Sequence, residues 1–260
     1  MKKEVKKMKT GWIVFLIIVT CMFQPGCDIR NYVYTDSSLK WIAQRSLKKK
    51  YGEEFVIYRV WDKSQEMFFA TCSPKDDPEV VFDADINKNG DGVESDGYAQ
   101  EVVAKKVKEL LKDDIQELFG KCYFRSEAYT YYNAPEFKNA SEITIEEYIS
   151  NVEYDHIMCW IYLSSPKKSK SDIDKEYSYF SQVLQEKIRN KTIPKLTVII
   201  YFSNDEMIEQ CEEYYTTHAD INYEFGRKLD NYEKIVFEYE NGVMNMTYEE
   251  YKNLRETYAE

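Results

Sequence analysis

The chain has 260 residues, enough for one or two domains with a substantial core. Its composition, 43% apolar and 31% charged with 23 Tyr, excludes a collagen-like or disordered chain. A formal net charge of −11 argues against a nucleic-acid partner, which needs a basic surface.

The N-terminus opens with Lys2, Lys3, Lys6, Lys7 and Lys9, followed by an apolar run from Trp12 to Phe23. That run is too short for a spanning helix, which needs about 20 residues. A positive start and a short apolar stretch read as an export signal. The run ends at Gln24-Pro25-Gly26-Cys27, which resembles the bacterial lipoprotein signal, where a small residue precedes a Cys that becomes lipidated. Gln24 departs from that pattern, since an aliphatic residue is usual there. The resemblance implies a diacylglyceryl group on Cys27 and a place at the extracytoplasmic face of the cell membrane. A type I secretory signal and an uncleaved anchor are the rival readings. Loss of residues 1–27 would leave 30 basic and 45 acidic residues, a net of −15. Such a surface would not hold to anionic headgroups by charge, so the lipid would do the anchoring.

Residues 28–35 read as a tether. A helix fits Ser37–Tyr51, with Leu39, Ile42, Leu47 and Tyr51 on one face and Gly52 to end it. Strand-like runs follow at Phe55–Asp62, Met67–Cys72 and Glu79–Ile86, joined by short links that suit antiparallel hairpins. A long helix over about Gly97–Phe119 keeps its period through Val103, Val107, Leu110, Leu111, Ile115 and Leu118. A strand over Cys122–Thr130 completes the first unit. The polar stretch Tyr131–Ser141 marks a boundary.

Beyond it, Thr144 and Glu147 form a capping box. Strand Ile157–Leu163, helix Asp172–Ile188 and strand Leu196–Phe202 read as a βαβ unit, because the second strand is apolar on both faces. A helix after Asn204, a strand over Lys234–Tyr239 and a helix from Thr247 close the chain. The fold class is therefore α+β. An antiparallel sheet with helices on one face spans residues 36–134, and a smaller βαβ-containing unit spans 138–260.

Four candidate sites emerge. Asp85, Asn87, Asn89, Asp91 and Asp96 fall at calcium-loop spacing, but Gly92 stands where an aliphatic residue belongs and a strand precedes the loop. A hairpin turn through Asn89-Gly90 and Asp91-Gly92 accounts for the same residues and is preferred. Ser164, Ser165, Lys167 and Lys168, with Ser203 and Asn204, should meet at the end of the parallel strands, where a helix N-terminus attracts anions. A solvated loop is the competing reading. His156 and Cys159 invite a thiol–base reading, but residues three apart on a strand face opposite sides. Tyr129, Tyr131, Tyr132, Tyr177 and Tyr179 suit either a wet binding surface or the outer core.

Cys72, Cys122, Cys159 and Cys211 permit two disulfides or four buried thiols. With no C-x-x-C spacing, a zinc site is not expected, and no cofactor or catalytic motif is expected either. The sequence points to a tethered binding module for an extracellular protein or peptide. The alternatives are a cell-surface enzyme with a site assembled from distant residues, and a self-assembling envelope protein.

Overall fold

The computed structural model describes residues 35–62, 67–87, 92–129, 137, 139–152, 156–164, 169–216 and 232–258. The first unit begins with helix α1 (Asp36–Tyr51). The Thr35 side chain accepts from the Ser38 N–H at its start, and Gly52 ends it at φ 79°, donating its N–H to the Lys48 carbonyl. That left-handed turn is the reason a glycine stands there. Strands β1 (Phe55–Asp62), β2 (Met67–Pro74), β3 (Phe82–Asn87) and β4 (Val93–Asp96) form an antiparallel sheet in sequence order.

The alternation of β3 sends Phe82, Ala84 and Ile86 inward to join Leu39, Ala43 and Leu47 of α1. Each such buried leucine contributes about 1.5–3 kcal/mol. β3 starts later than its apolar run suggests, because Asp77–Val80 close a turn, Val80 N–H to Asp77 C=O at 3.2 Å. β4 pairs with β3, as a hairpin requires, and Gly92 lets the chain approach α1. A Cβ on Gly92 would lie 2.8 Å from Ser46 Oγ, which accepts the Val93 N–H at 2.9 Å.

Helix α2 (Tyr98–Phe119) runs from one sheet to the other. At its start Tyr98 packs edge-on against Phe55 at 5.4 Å, and at its end Phe119 lies 6.2 Å from Phe180. Gly97 is the N-cap of the helix and offers no side chain, and Asp96 before it accepts the Tyr98 N–H at 3.2 Å. Strand β5 (Cys122–Tyr129) follows, but does not join the first sheet. It pairs antiparallel with β6 (His156–Ser164), Arg125 opposite Trp160 and Tyr129 opposite His156.

The second sheet is mixed, in the order β5-β6-β7-β8-β9, with β7 (Lys195–Ser203), β8 (Lys234–Glu240) and β9 (Val243–Met244). β6 and β7 are parallel, as expected of the βαβ reading. Their crossover consists of helix α4 (Lys170–Ser178), a π-helical segment Tyr179–Leu184 and helix α5 (Gln185–Asn190). Ser169 and Asp172 make a capping box at its start. Helix α3 (Ile145–Asn151) precedes β6, with Thr144 accepting from the Glu147 N–H. Helices α6 (Asp205–Thr216) and α7 (Tyr248–Thr257) complete the chain, the latter with a full Thr247–Glu250 capping box.

Ile157, Cys159, Ile161 and Leu163 face the helices and continue into the core of the first sheet, so both sheets share one buried cluster. The opposite face carries Tyr123, Arg125, Met158, Trp160, Tyr162 and Tyr201, partly covered by Met207, Ile208 and Cys211 of α6. No helix among the described residues is long and apolar enough to cross a membrane.

Candidate binding groove

The register of β3 and β4 separates the calcium candidates. Ala84 pairs with Asp96 and Asp85 with Ser95, so Asp85 and Asp96 point to opposite faces of the hairpin. Each already has polar partners. Ser95 Oγ donates to Asp85 at 2.6 Å, while Asp96 takes the Tyr51 hydroxyl at 2.7 Å and the Lys50 ammonium at 3.0 Å. Asn87 lies at the end of β3 on the Asp85 face, and Asn89 and Asp91 fall outside the described residues. No group of three or more His, Cys, Asp or Glu among the described residues is placed to hold a metal ion.

The parallel pair does bring Ser164 and Ser203 side by side. Ser203 Oγ donates to the Leu163 carbonyl at 3.0 Å, and Asn204 Oδ1 accepts the Met207 N–H at 2.8 Å to start α6. Ser165, Lys167 and Lys168 lie outside the described residues. Asp172 caps α4, and Asp205 and Glu206 occupy the first turn of α6. These carboxylates already use the helix dipoles that would have attracted an anion.

His156 and Cys159 take opposite faces of β6. Cys159 is fully buried, while His156 Nε2 lies 2.6 Å from Thr197 Oγ1. Burial, with the Lys195 charge beside it, lowers the histidine's pKa, against a smaller opposing effect of Glu238. His218 lies outside the described residues. Cys72, Cys122, Cys159 and Cys211 are free thiols, three of them buried. Burial lifts Cys122 to about 11 and Cys211 to about 12.

The tyrosines divide. Tyr129 is exposed near Trp160 and His156, whereas Tyr177 packs against Tyr248 and Tyr251 and donates to the Met246 carbonyl at 3.2 Å. Tyr179 is buried, and Tyr131 and Tyr132 lie outside the described residues.

The groove that sequence reading missed lies where β5 meets α2. It has a volume of about 490 Å³ and is walled by Glu101, Lys105 and Lys108 of α2, Arg125 and Glu127 of β5, and Glu79. Positions 101, 105 and 108 fall on one helix face by their spacing. Alternation along β5 puts Arg125 and Glu127 on one side of the strand, where they form an ion pair. The Arg125 guanidinium also sits over the Trp160 ring at 4.5 Å. On the core side, the Ser126 hydroxyl donates to the Ala104 carbonyl at 2.5 Å and ties strand to helix. Lys105 is held by Asp77 at 2.7 and 2.9 Å.

Glu101 has the most altered chemistry. Part of the residue stays accessible, but its carboxyl is packed among protein atoms. Burial pushes its pKa up to about 7, with Arg125 opposing and Asp83 adding. At neutral pH the groove therefore holds a carboxyl near half-protonation beside three cations and two further carboxylates. The stripe Glu101, Lys105, Lys108 was visible as a polar helix face. What the face looks onto depends on the pairing of β5, which local pattern does not encode.

No family model and no curated protein matches the chain. Among solved structures, it is similar to the crystal structure of a DUF5037 family protein from Ruminococcus gnavus, with 17% identity and a TM-score of 0.62. The likeness covers 84% of this chain and 98% of that one. At that identity it is a likeness of fold: two sheets, one antiparallel and one mixed, with helices interleaved.

Proposed function

We propose that the chain is an exported binding module, held at the extracytoplasmic face of the cell membrane by a diacylglyceryl group on Cys27. Its groove takes a segment of an extracellular protein or peptide. The observation that carries the reading is the position of β5. Among the described residues it is an edge strand of the second sheet, paired with β6 on one side, and the groove runs along it. An edge strand can accept a further strand by main-chain hydrogen bonds, while neighbouring pockets select side chains. The groove walls carry both signs of charge, which suits orienting a polar segment more than gripping a single ion.

Two measurements test it. The intact mass of the full chain from a lipoprotein-processing bacterium should begin at Cys27 and include a diacylglyceryl group. An unprocessed mass sinks the anchoring. A displayed random-peptide library should enrich binders on the native chain but not on Lys108→Glu/Arg125→Glu. Enrichment that is absent, or equal on both, sinks the groove.

One observation favours a second reading, an acid–base enzyme: Glu101 sits near pKa 7 beside Arg125. Turnover of a panel of nitrophenyl esters and glycosides that disappears in Glu101→Gln would support it. No turnover on that panel would count for the binding module.

A further inference from the structure

A second cavity, about 370 Å³, lies between the C-terminal half of α2 and the helical crossover of the second sheet. Carboxylates approach it from both sides, Asp114 and Glu117 from α2, Asp172 and Glu176 from α4. Three of them are already engaged. Asp114 pairs with Lys187 at 2.5 Å, and Asp172 accepts from the Ser169 N–H and hydroxyl at 3.0 and 2.8 Å. Glu176, 1% exposed, accepts from Arg255 at 2.9 and 3.2 Å and from the Tyr251 hydroxyl at 2.6 Å. With Lys175 in the wall, four carboxylates face three cations, an excess of one negative charge. Glu117 makes no ion pair or side-chain hydrogen bond among the described residues.

Tyr179 also lines this cavity and is the independent observation. It is 6% exposed, and its hydroxyl is buried with no donor to its oxygen among the described residues. Burial pushes the hydroxyl's pKa strongly up, and the Asp114 carboxylate, by its charge and by accepting from the hydroxyl, adds to this. A carboxylate cannot donate to the phenolic oxygen, so the oxygen's lone pairs call for a donor. Tyr179 also opens the π-helical segment, a departure from α geometry often found at functional sites. Four residues on, Val183 joins Leu118 as an apolar part of the wall.

We infer that this cavity binds a primary alkylammonium ion. The ammonium N–H groups would reach the Tyr179 oxygen and the Asp114 and Glu117 carboxylates, and the alkyl stem would lie on Leu118 and Val183. One positive charge matches the excess. The site is separate from the β5 groove and stands or falls independently of it.

The test is calorimetric titration of the full chain with n-butylamine, and with Nα-acetyl-lysine methylamide as a side-chain mimic. Butanol, which has the stem without the charge, is the control. One-to-one binding of an amine is expected, weakened on the order of tenfold by Tyr179→Phe with the melting temperature unchanged. Glu117→Gln, a change at an exposed carboxylate, should weaken it in the same direction. Tighter binding of the lysine mimic assigns the site to a partner's side chain. Tighter binding of n-butylamine assigns it to a free amine. No saturable binding, equal affinity in Tyr179→Phe, or butanol binding as tightly as the amine would overturn the inference.

Discussion

Arg255 and Arg125 each face a glutamate, and each lies on an aromatic ring, Phe202 at 4.8 Å and Trp160 at 4.5 Å. The surroundings differ. Arg255 and Glu176 are both 1% exposed, whereas the side chains of Arg125 and Glu127 keep 18% and 26% of their surface. In the first pair both charges are shut off from water and lean on each other and on Tyr251. In the second, solvent shares the load, and the same groups stay open to a ligand. Burial turns an ion pair into a structural lock, and partial exposure leaves it available for recognition.

The comparison breaks most sharply on Arg255→Met. That change strands the Glu176 charge, and urea unfolding should show a loss of about 3–5 kcal/mol. The double change Arg255→Met/Glu176→Leu should recover most of it, because the stranded charge is gone. A double variant as unstable as the single one would mean that packing, not charge, sets the cost.

Glu101 gives the next effect, and its sign is specific. Its folded pKa of about 7 lies above the 4.5 of an ordinary glutamate. The folded state therefore holds the proton more tightly, and stability is lost as pH rises from about 4.5 to 7. Glu101→Gln should be more stable than the native chain by about 3 kcal/mol at pH 8, a gap that closes on acidification. Urea melts at several pH values check this, and a constant gap would refute the raised pKa.

Arg125→Met should cost only about 1 kcal/mol, chiefly the contact with Trp160, and should shift tryptophan emission. A loss as large as that of Arg255→Met would erase the distinction between the two pairs. The smallest change is expected at the exposed pair Lys121–Glu209, 3.1 Å apart. Lys121→Ala should stay within about 0.5 kcal/mol in the same melts.

Much of the fold was legible because its signals are local. Gly52, Thr144 and Thr247 each mark a helix end by their own side chain or backbone freedom. The two-sided apolar pattern of Leu196–Phe202 announces an interior strand wherever it sits. Pairing choice is not local. The alternation Tyr123, Arg125, Glu127 fits an edge of either sheet, so β5 could be found but not placed. The groove inherits that blindness, since Glu101 becomes unusual only once β5 lies beside it. The π-helical turn has no residue signature either. Glu117 and Tyr179 read as ordinary helix positions until the two helices are set against each other.

The four thiols have a consequence for the life history of the chain. None is paired, and burial lifts Cys72, Cys122, Cys159 and Cys211 toward the protonated, unreactive form. The thiolate is the species that oxidises and exchanges, so the finished fold offers redox chemistry little to act on. At these four positions the fold needs no oxidant to mature and no reductant to survive. These four positions can pass from a reducing medium to an oxidising one unchanged.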